Sequence, residues 1–335
     1  MSVPLTIRKF LLLGFMVLGL AVFGTAPLAA QTAGATDEPS PGHPFRSEDA
    51  RDRFLKVYDL RAKDWPVPQT TLMADTSYGP TFVRICGPED APPLVLLHGA
   101  GGNSLQWISN IRTLSGHFRI YAVDNIHEFG RSVYLRDIST PDDFTAWLDE
   151  LFTALNLSGN INLVGLSYGG WLTAEYALRF PGRLHKIVLL APAATILPLD
   201  LEWIMRAILC PLPNSHFTKS FLYWLLDDLV HRDQAGRLLV DQWAADQFLA
   251  MQSFKPKRLV NPRILEDHEL ANIQIPVLVL IGEHEKIYSA HEALDRLHRV
   301  APDIQTELVP GAGHDLTAVQ ADLVDTLIIE FLSRP

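Results

Sequence analysis

From Pro92 onward the chain alternates short, unbroken apolar runs with longer stretches in which apolar residues recur every three to four positions. The runs PPLVLLHG, FRIYAVDN, NINLVGLS, LHKIVLLAP, IPVLVLIGE and IQTELVP read as strands. Continuous Val, Ile and Leu in a strand means burial on both faces, as in a parallel sheet covered by helices. Between the strands the period lengthens. Over 141–157 Phe144, Trp147, Leu148, Leu151 and Phe152 make an apolar stripe behind Thr140, a capping residue, and Pro141, which suits the first helical position. Further upstream, SEDARDRFLKVYDLRAKDW is acidic early and basic late, the polarity a helix dipole favours. TLMAD and TFVRIC flank the turn TSYGP and predict a β-hairpin. The fold class expected is α/β, a mostly parallel central sheet flanked by helices.

One region breaks the alternation. Between LLAPAATILP and IPVLVLIGE no strand pattern occurs, but Trp203, Phe217, Phe221, Tyr223, Trp224, Trp243 and Phe248 recur at helical spacing. Residues 199–272 are therefore read as an inserted helical cap dividing a core of 47–198 and 273–335. Most of these aromatics are expected to pack the cap on itself, with some lining a pocket.

Candidate chemistry starts at INLVGLSYGGW, residues 161–171. An apolar strand runs into Gly165-Leu166-Ser167-Tyr168-Gly169, and a helical pattern follows. A side chain presented on so sharp a strand-to-helix turn needs nearly bare positions two before and two after it, which Gly165 and Gly169 provide. A serine hydroxyl attacks well only when a base removes its proton, and histidine oriented by a carboxylate is the usual base. In sheets of this kind reacting groups gather at the carboxyl ends of strands. His314, after IQTELV and PGAG, meets that condition. His98 also ends a strand, but the glycine-rich Gly99-Ala100-Gly101-Gly102 follows it and suggests a loop with inward-facing amides. His117, His185 and His231 read as solvated positions. For the carboxylate, IPVLVLIGEHEKIY offers Glu283 and Glu285, while Asp315, beside His314, is expected to point away from it.

The order serine, acid, histidine, together with LLHGAGG, VGLSYGG, LIGEHE and PGAGH, resembles the α/β-hydrolase superfamily. GPEDAPPLVLLHGAGGNSLQW and YAVDNIHEFGRS are similar more narrowly to its bacterial carboxylesterases, over about residues 50–333. The resemblance implies Ser167 as nucleophile, Glu285 as acid and His314 as base, Glu285 standing three residues past the strand-ending Gly282. Aspartate is commoner at that position, so Glu283 stays the substitute. It also implies an oxyanion hole from the amides of Tyr168 and Ala100, with Gly101 the nearest competitor. The activity implied is hydrolysis of small or medium apolar carboxylic esters through an acyl-enzyme, without metal or organic cofactor. The same triad is compatible with a carbon–carbon bond hydrolase, a lactonase or a cofactor-free haloperoxidase or perhydrolase. A binding module that has lost its chemistry would show a damaged elbow or triad, and neither is seen.

Composition adds two constraints. The 335 residues are 48% hydrophobic and 20% charged, with a net charge of -10. Such a surface repels nucleic acid, and the spacing of Cys86 and Cys210 suggests no disulfide framework. No H-E-x-x-H or clustered ligand spacing marks a metal site, and no protein partner is evident. At the N-terminus Arg8 and Lys9 precede an uncharged run from Phe10 to Phe23 and the small-residue stretch GTAPLAAQ. Residues 1–30 are thus expected to be a secretory signal cleaved after Ala30, or an uncleaved anchor giving the only membrane contact. Either way the domain is exported, to the periplasm or beyond. Residues 31–46 read as a flexible polar spacer.

Overall fold

The computed structural model describes residues 44–257 and 260–334. Helix α1 (Glu48–Ala62) precedes a hairpin of β1 (Thr70–Ala74) and β2 (Thr81–Cys86). The chain continues through β3 (Pro93–Leu97), α2 (Ile108–Leu114), β4 (Arg119–Val123), α3 (Pro141–Ala154), β5 (Ile161–Leu166), α4 (Tyr168–Arg179) and β6 (Leu184–Leu190). A helical excursion comes next, with α5 (Leu201–Leu209), α6 (Ser215–Leu225), α7 (Asp227–Arg232), α8 (Gln234–Ser253) and the short α9 (Asp267–Ala271). The sheet resumes with β7 (Val277–Gly282), α10 (Ala290–Val300), β8 (Gln305–Val309), α11 (Leu316–Val319) and α12 (Ala321–Ser333).

The eight strands form one sheet in the order β1-β2-β4-β3-β5-β6-β7-β8. β2 is antiparallel to both its neighbours, and every pairing from β4 to β8 is parallel. Both faces are covered. Val95, Leu163, Val279 and Ile281 face a core with Phe144, Trp147, Trp171 and Leu297, whereas Leu94, Leu96, Val164 and Leu280 face one with Ile111, Leu114, Ile328 and Phe331. Successive residues of one strand thus enter opposite cores, which explains why the strand runs are continuously apolar. Leu97 pairs with Gly165, so β3 and β5 end level with each other where the chain order turns outward in both directions. Such a crevice at the carboxyl ends is where open α/β sheets bind ligands.

Helix α3 is capped by Thr140 as expected, in a full capping box with Asp143, with Pro141 in the first turn and its apolar stripe buried. It ends at Ala154, short of the expected 157, because Asn156 takes a left-handed φ of 58° and Leu157 N–H returns to Phe152 O at 2.8 Å. Residues 44–46 belong to the folded body: Phe45 is buried against Phe54 and Phe254, and Arg46 N–H donates to Ser253 O at 2.8 Å. An aromatic ring with two aromatic neighbours gains more from burial than a polar linker gains from freedom. The signal or anchor reading of residues 1–30 and the spacer up to residue 43 lie outside the described residues. Among the described residues no helix is long and apolar enough to cross a membrane. Cys86 and Cys210 are both buried free thiols.

Candidate active site

Ser167 stands at the junction of β5 and α4 with φ 54° and ψ -113°, a conformation costing a non-glycine residue on the order of 1–3 kcal/mol. The surroundings hold it there. Its N–H donates to Leu190 O at 2.8 Å, and its carbonyl accepts from Trp171 N and Ala193 N, each at 3.1 Å. Close packing explains the flanking glycines: a Cβ on Gly165 would overlap Gly169 O, and one on Gly169 would lie 2.7 Å from His98 O and overlap Leu97 O. The elbow is thus pressed onto the end of β3, and a Cβ on Gly99 would stand 3.3 Å from Ser167 Cβ.

The loops after β7 and β8 are tied by backbone bonds from Glu283 N to Val309 O and from His284 N to Ala312 O, both 2.9 Å. That linkage brings His314 Nδ1 to 3.1 and 3.0 Å from the two carboxylate oxygens of Glu285, whose side chain is fully buried. Glu285 Oε1 also accepts from the amides of Lys286, at 2.9 Å, and Ile287, at 3.1 Å. Burial lowers the pKa of His314, but attraction and hydrogen bonding from Glu285, with the charge of Asp315, outweigh it and leave the imidazole above its ordinary value. Glu283 is half exposed and accepts instead from Gly311 N at 3.1 Å. Asp315 turns away from the ring, accepting from Leu229 N at 2.8 Å and Gly313 N at 3.1 Å. His98 is fully buried with both ring nitrogens engaged, Nε2 accepting from Asn125 N at 2.9 Å and Nδ1 donating to Gly99 O at 2.8 Å. His117, His185 and His231 are exposed.

In the loop after β3, Gly99 N–H donates to Gln106 Oε1 at 2.9 Å, Gly101 N–H to Glu128 Oε2 at 2.8 Å, and Gly102 N–H to Gly99 O at 3.1 Å. The amides of Ala100 and of Tyr168, first residue of α4, donate to no acceptor among the described residues. Gly101, the competitor to Ala100, therefore has its donor occupied.

Several residues at this crest were not singled out from the sequence. Asp124, at the end of β4, is fully buried and accepts from Ser104 N, Tyr58 OH and Arg131 N, each at 2.8 Å, binding α1 and two loops to one carboxylate. Beyond it lies a polar wall in which Asn125 Oδ1, both ring nitrogens of His127, Glu128 Oε1 and Lys257 Nζ are buried without a hydrogen-bond partner among the described residues. Burial pulls His127 down to about 4. The signal available in sequence was the carboxyl-end rule, which applies to YAVDNIHE as it does to the other strand ends.

The excursion after β6 is anchored at the same place. Asp227 pairs with Lys286 at 3.1 Å and Asp228 with His284 at 2.8 Å, flanking the Leu229–Asp315 bond. Of the aromatics picked out there, all are half-buried rather than sealed, and Trp203, Phe221 and Trp224 form a chain of rings 6.2 and 6.4 Å apart. Among the described residues no cluster of three or more His, Cys, Asp or Glu is arranged to hold a metal ion.

Residues 92–318 match the model of the alpha/beta hydrolase fold family. The chain is 34% identical over 283 residues to the uncharacterized carboxylesterase nap of Bacillus subtilis, covering 84% of this chain and 92% of that one. It is 32% identical over 294 residues to the carboxylesterase YbfK of the same organism, covering 86% and 96%. The crystal structure of a Bacillus subtilis naproxen esterase superimposes with a TM-score of 0.77 at 33% identity, over 85% of this chain and 99% of that one. The chain belongs to the α/β-hydrolase family and is a serine hydrolase resembling bacterial carboxylesterases.

Proposed function

We propose that this protein is an exported carboxylesterase that acts on small or medium apolar esters through Ser167, His314 and Glu285. The observation that carries the reading is the pairing of His314 Nδ1 with buried Glu285, which fixes the ring and leaves Nε2 without a hydrogen-bond partner among the described residues. Glu285 holds the proton on Nδ1, so Nε2 is the basic nitrogen. Nε2 takes the Ser167 proton as Oγ attacks the ester carbonyl, and the carbonyl oxygen becomes an oxyanion facing the amides of Ala100 and Tyr168. His314 then gives the proton to the leaving alcohol. Water, activated by the same nitrogen, attacks the acyl group on Ser167 and releases the acid.

Ester substrates are supported by the carboxylesterases at 34% and 32% identity, and an apolar group by the half-buried cap aromatics. Export rests on the sequence of residues 8–30. Incubation with a fluorophosphonate probe tests the nucleophile: wild type is expected to be labelled stoichiometrically and Ser167→Ala not at all. Equal labelling of both would overturn the reading, and preference for a vinylogous diketone over p-nitrophenyl esters would replace the ester by a carbon–carbon substrate.

A further inference from the structure

Ala100 occupies an unusual position among the amides of its loop. The N–H groups on either side of it are pinned by side chains from outside the loop, Gly99 by Gln106 and Gly101 by Glu128, while its own has no acceptor among the described residues. Gly101 has a φ of 72°, a left-handed turn that glycine adopts freely. The peptide that carries the Ala100 N–H is held at its other end, Gly99 O accepting from His98 Nδ1 at 2.8 Å and Gly102 N at 3.1 Å, and the next peptide is held through Gly101 N–H by Glu128, so the turn keeps its shape only while both sets of bonds stand.

We propose that Glu128 is a positioning residue for acyl transfer: its carboxylate holds the Gly101 amide and thereby keeps the Ala100 amide aimed at the substrate oxygen. The proposal rests on the esterase reading above. A carboxylate beside a developing oxyanion is electrostatically unfavourable by itself. Lys257 Nζ lies at the same turn, 5.4 Å from the Phe129 ring centroid and buried without a hydrogen-bond partner among the described residues; burial holds its pKa below the ordinary lysine value, and the charge of Glu128 opposes that shift. Glu128 is itself buried, and its own backbone is set by a bond from its N–H to Asn125 O at 3.1 Å and one from Gly130 N to its carbonyl at 3.1 Å. The carboxylate therefore approaches the loop from a braced turn. Gln247 of α8 lies against Gly101 on another side, its amide within overlap distance of an added Cβ, so the loop has little room to relax by moving bodily.

The test is steady-state hydrolysis of p-nitrophenyl butyrate by wild type, Glu128→Ala and Glu128→Gln, with thermal unfolding recorded for each. Losing an oxyanion donor outright costs about 10²–10³ in kcat, and a donor left present but unaimed is expected to cost Glu128→Ala about 10–100-fold in kcat, with KM within about twofold. Glu128→Gln retains an oxygen acceptor for Gly101 and is expected to recover most of that loss. Should Glu128→Ala not fold, Glu128→Asp keeps the charge but falls a methylene short of the amide, and a kcat about tenfold below wild type is expected. Full kcat in Glu128→Ala or Glu128→Asp, or a Gln variant as impaired as the Ala variant, would overturn the proposal while wild-type turnover leaves the esterase reading standing. Wild type that hydrolyses no ester and takes no probe would overturn both.

Discussion

Replacing Glu285 by Gln gives the sharpest test of the charge assignment, because the two oxygens of this carboxylate are not equivalent. Oε1 accepts from the backbone amides of Lys286 and Ile287, and those donors cannot be satisfied by an NH2 group. In the variant the amide oxygen must therefore occupy the Oε1 position. The NH2 then takes the Oε2 position, 3.0 Å from His314 Nδ1, and donates to it. This donor favours the tautomer with its proton on Nε2, in competition with an Nδ1–H bond to the amide oxygen 3.1 Å away, and in that tautomer His314 can no longer accept a proton from Ser167. A wrong tautomer of this kind costs about 10⁴-fold in kcat, about 5 kcal/mol of transition-state stabilisation. KM for a p-nitrophenyl ester should change little, since no substrate contact is lost. The residual activity should carry a shifted pH profile. The base works only when neutral, so activity rises with pH through the His314 pKa; Glu285 raises that value, and removing its charge moves the acid limb to lower pH. Glu283→Gln, whose side chain is half exposed, should leave kcat within about twofold. A Glu285→Gln enzyme within tenfold of wild type, or a Glu283→Gln enzyme equally damaged, would refute the reasoning.

Two further expectations concern stability. Gly169→Ala places a Cβ against the backbone carbonyls of Leu97 and His98, which cannot rotate away, so a loss of about 3 kcal/mol or more, read as a lowered thermal midpoint, is expected; a midpoint equal to wild type would show that the elbow is looser than drawn. Asp325 is fully buried, with Oδ1 accepting from Asn110 Nδ2 at 2.8 Å, and burial pushes its carboxyl up to about 7. Between the unfolded value near 4 and the folded value the native state binds more protons, so its contribution to stability falls as pH rises through that window, by at most about 4 kcal/mol. Asp325→Asn should abolish this slope in thermal midpoints taken at pH 5 and pH 8, and an unchanged slope would assign it to another group.

Sequence patterns worked best where the physics is local. The elbow could be read because both glycines needed by Ser167 lie within two residues of it, and α3 because its cap, its proline and its stripe all lie on one helix. The stop of α3 was misplaced since apolar periodicity continues through Leu155 and Leu157, although the left-handed Asn156 has already turned the backbone. The polarity of its neighbours places Phe45 in a spacer, but its ring is buried by Phe254, some two hundred residues further along the chain. Glu128 is hidden from a sequence reading for a similar reason. Its partner Gly101 is 27 residues away, and no local pattern distinguishes a glutamate that braces a loop from one that faces water.

The alternation of apolar runs with helical stripes was sufficient for an α/β sheet buried on both faces, because strand and helix periods are set by backbone geometry within a few residues. The serine at a glycine-flanked turn followed from the same local sterics. Which carboxylate meets His314 did not follow: Glu283 and Glu285 differ by two positions on one turn, and the parallel register of β7 and β8 with the backbone bonds beyond it buries Glu285 against the ring and leaves Glu283 at the surface. The free amide of Ala100 depends likewise on the ends of β3 and β4 meeting, with Gln106 and Glu128 taking up its neighbours' donors. Hydrogen bonds saturate, so which donor stays available for a substrate is settled only when every competing acceptor is in place.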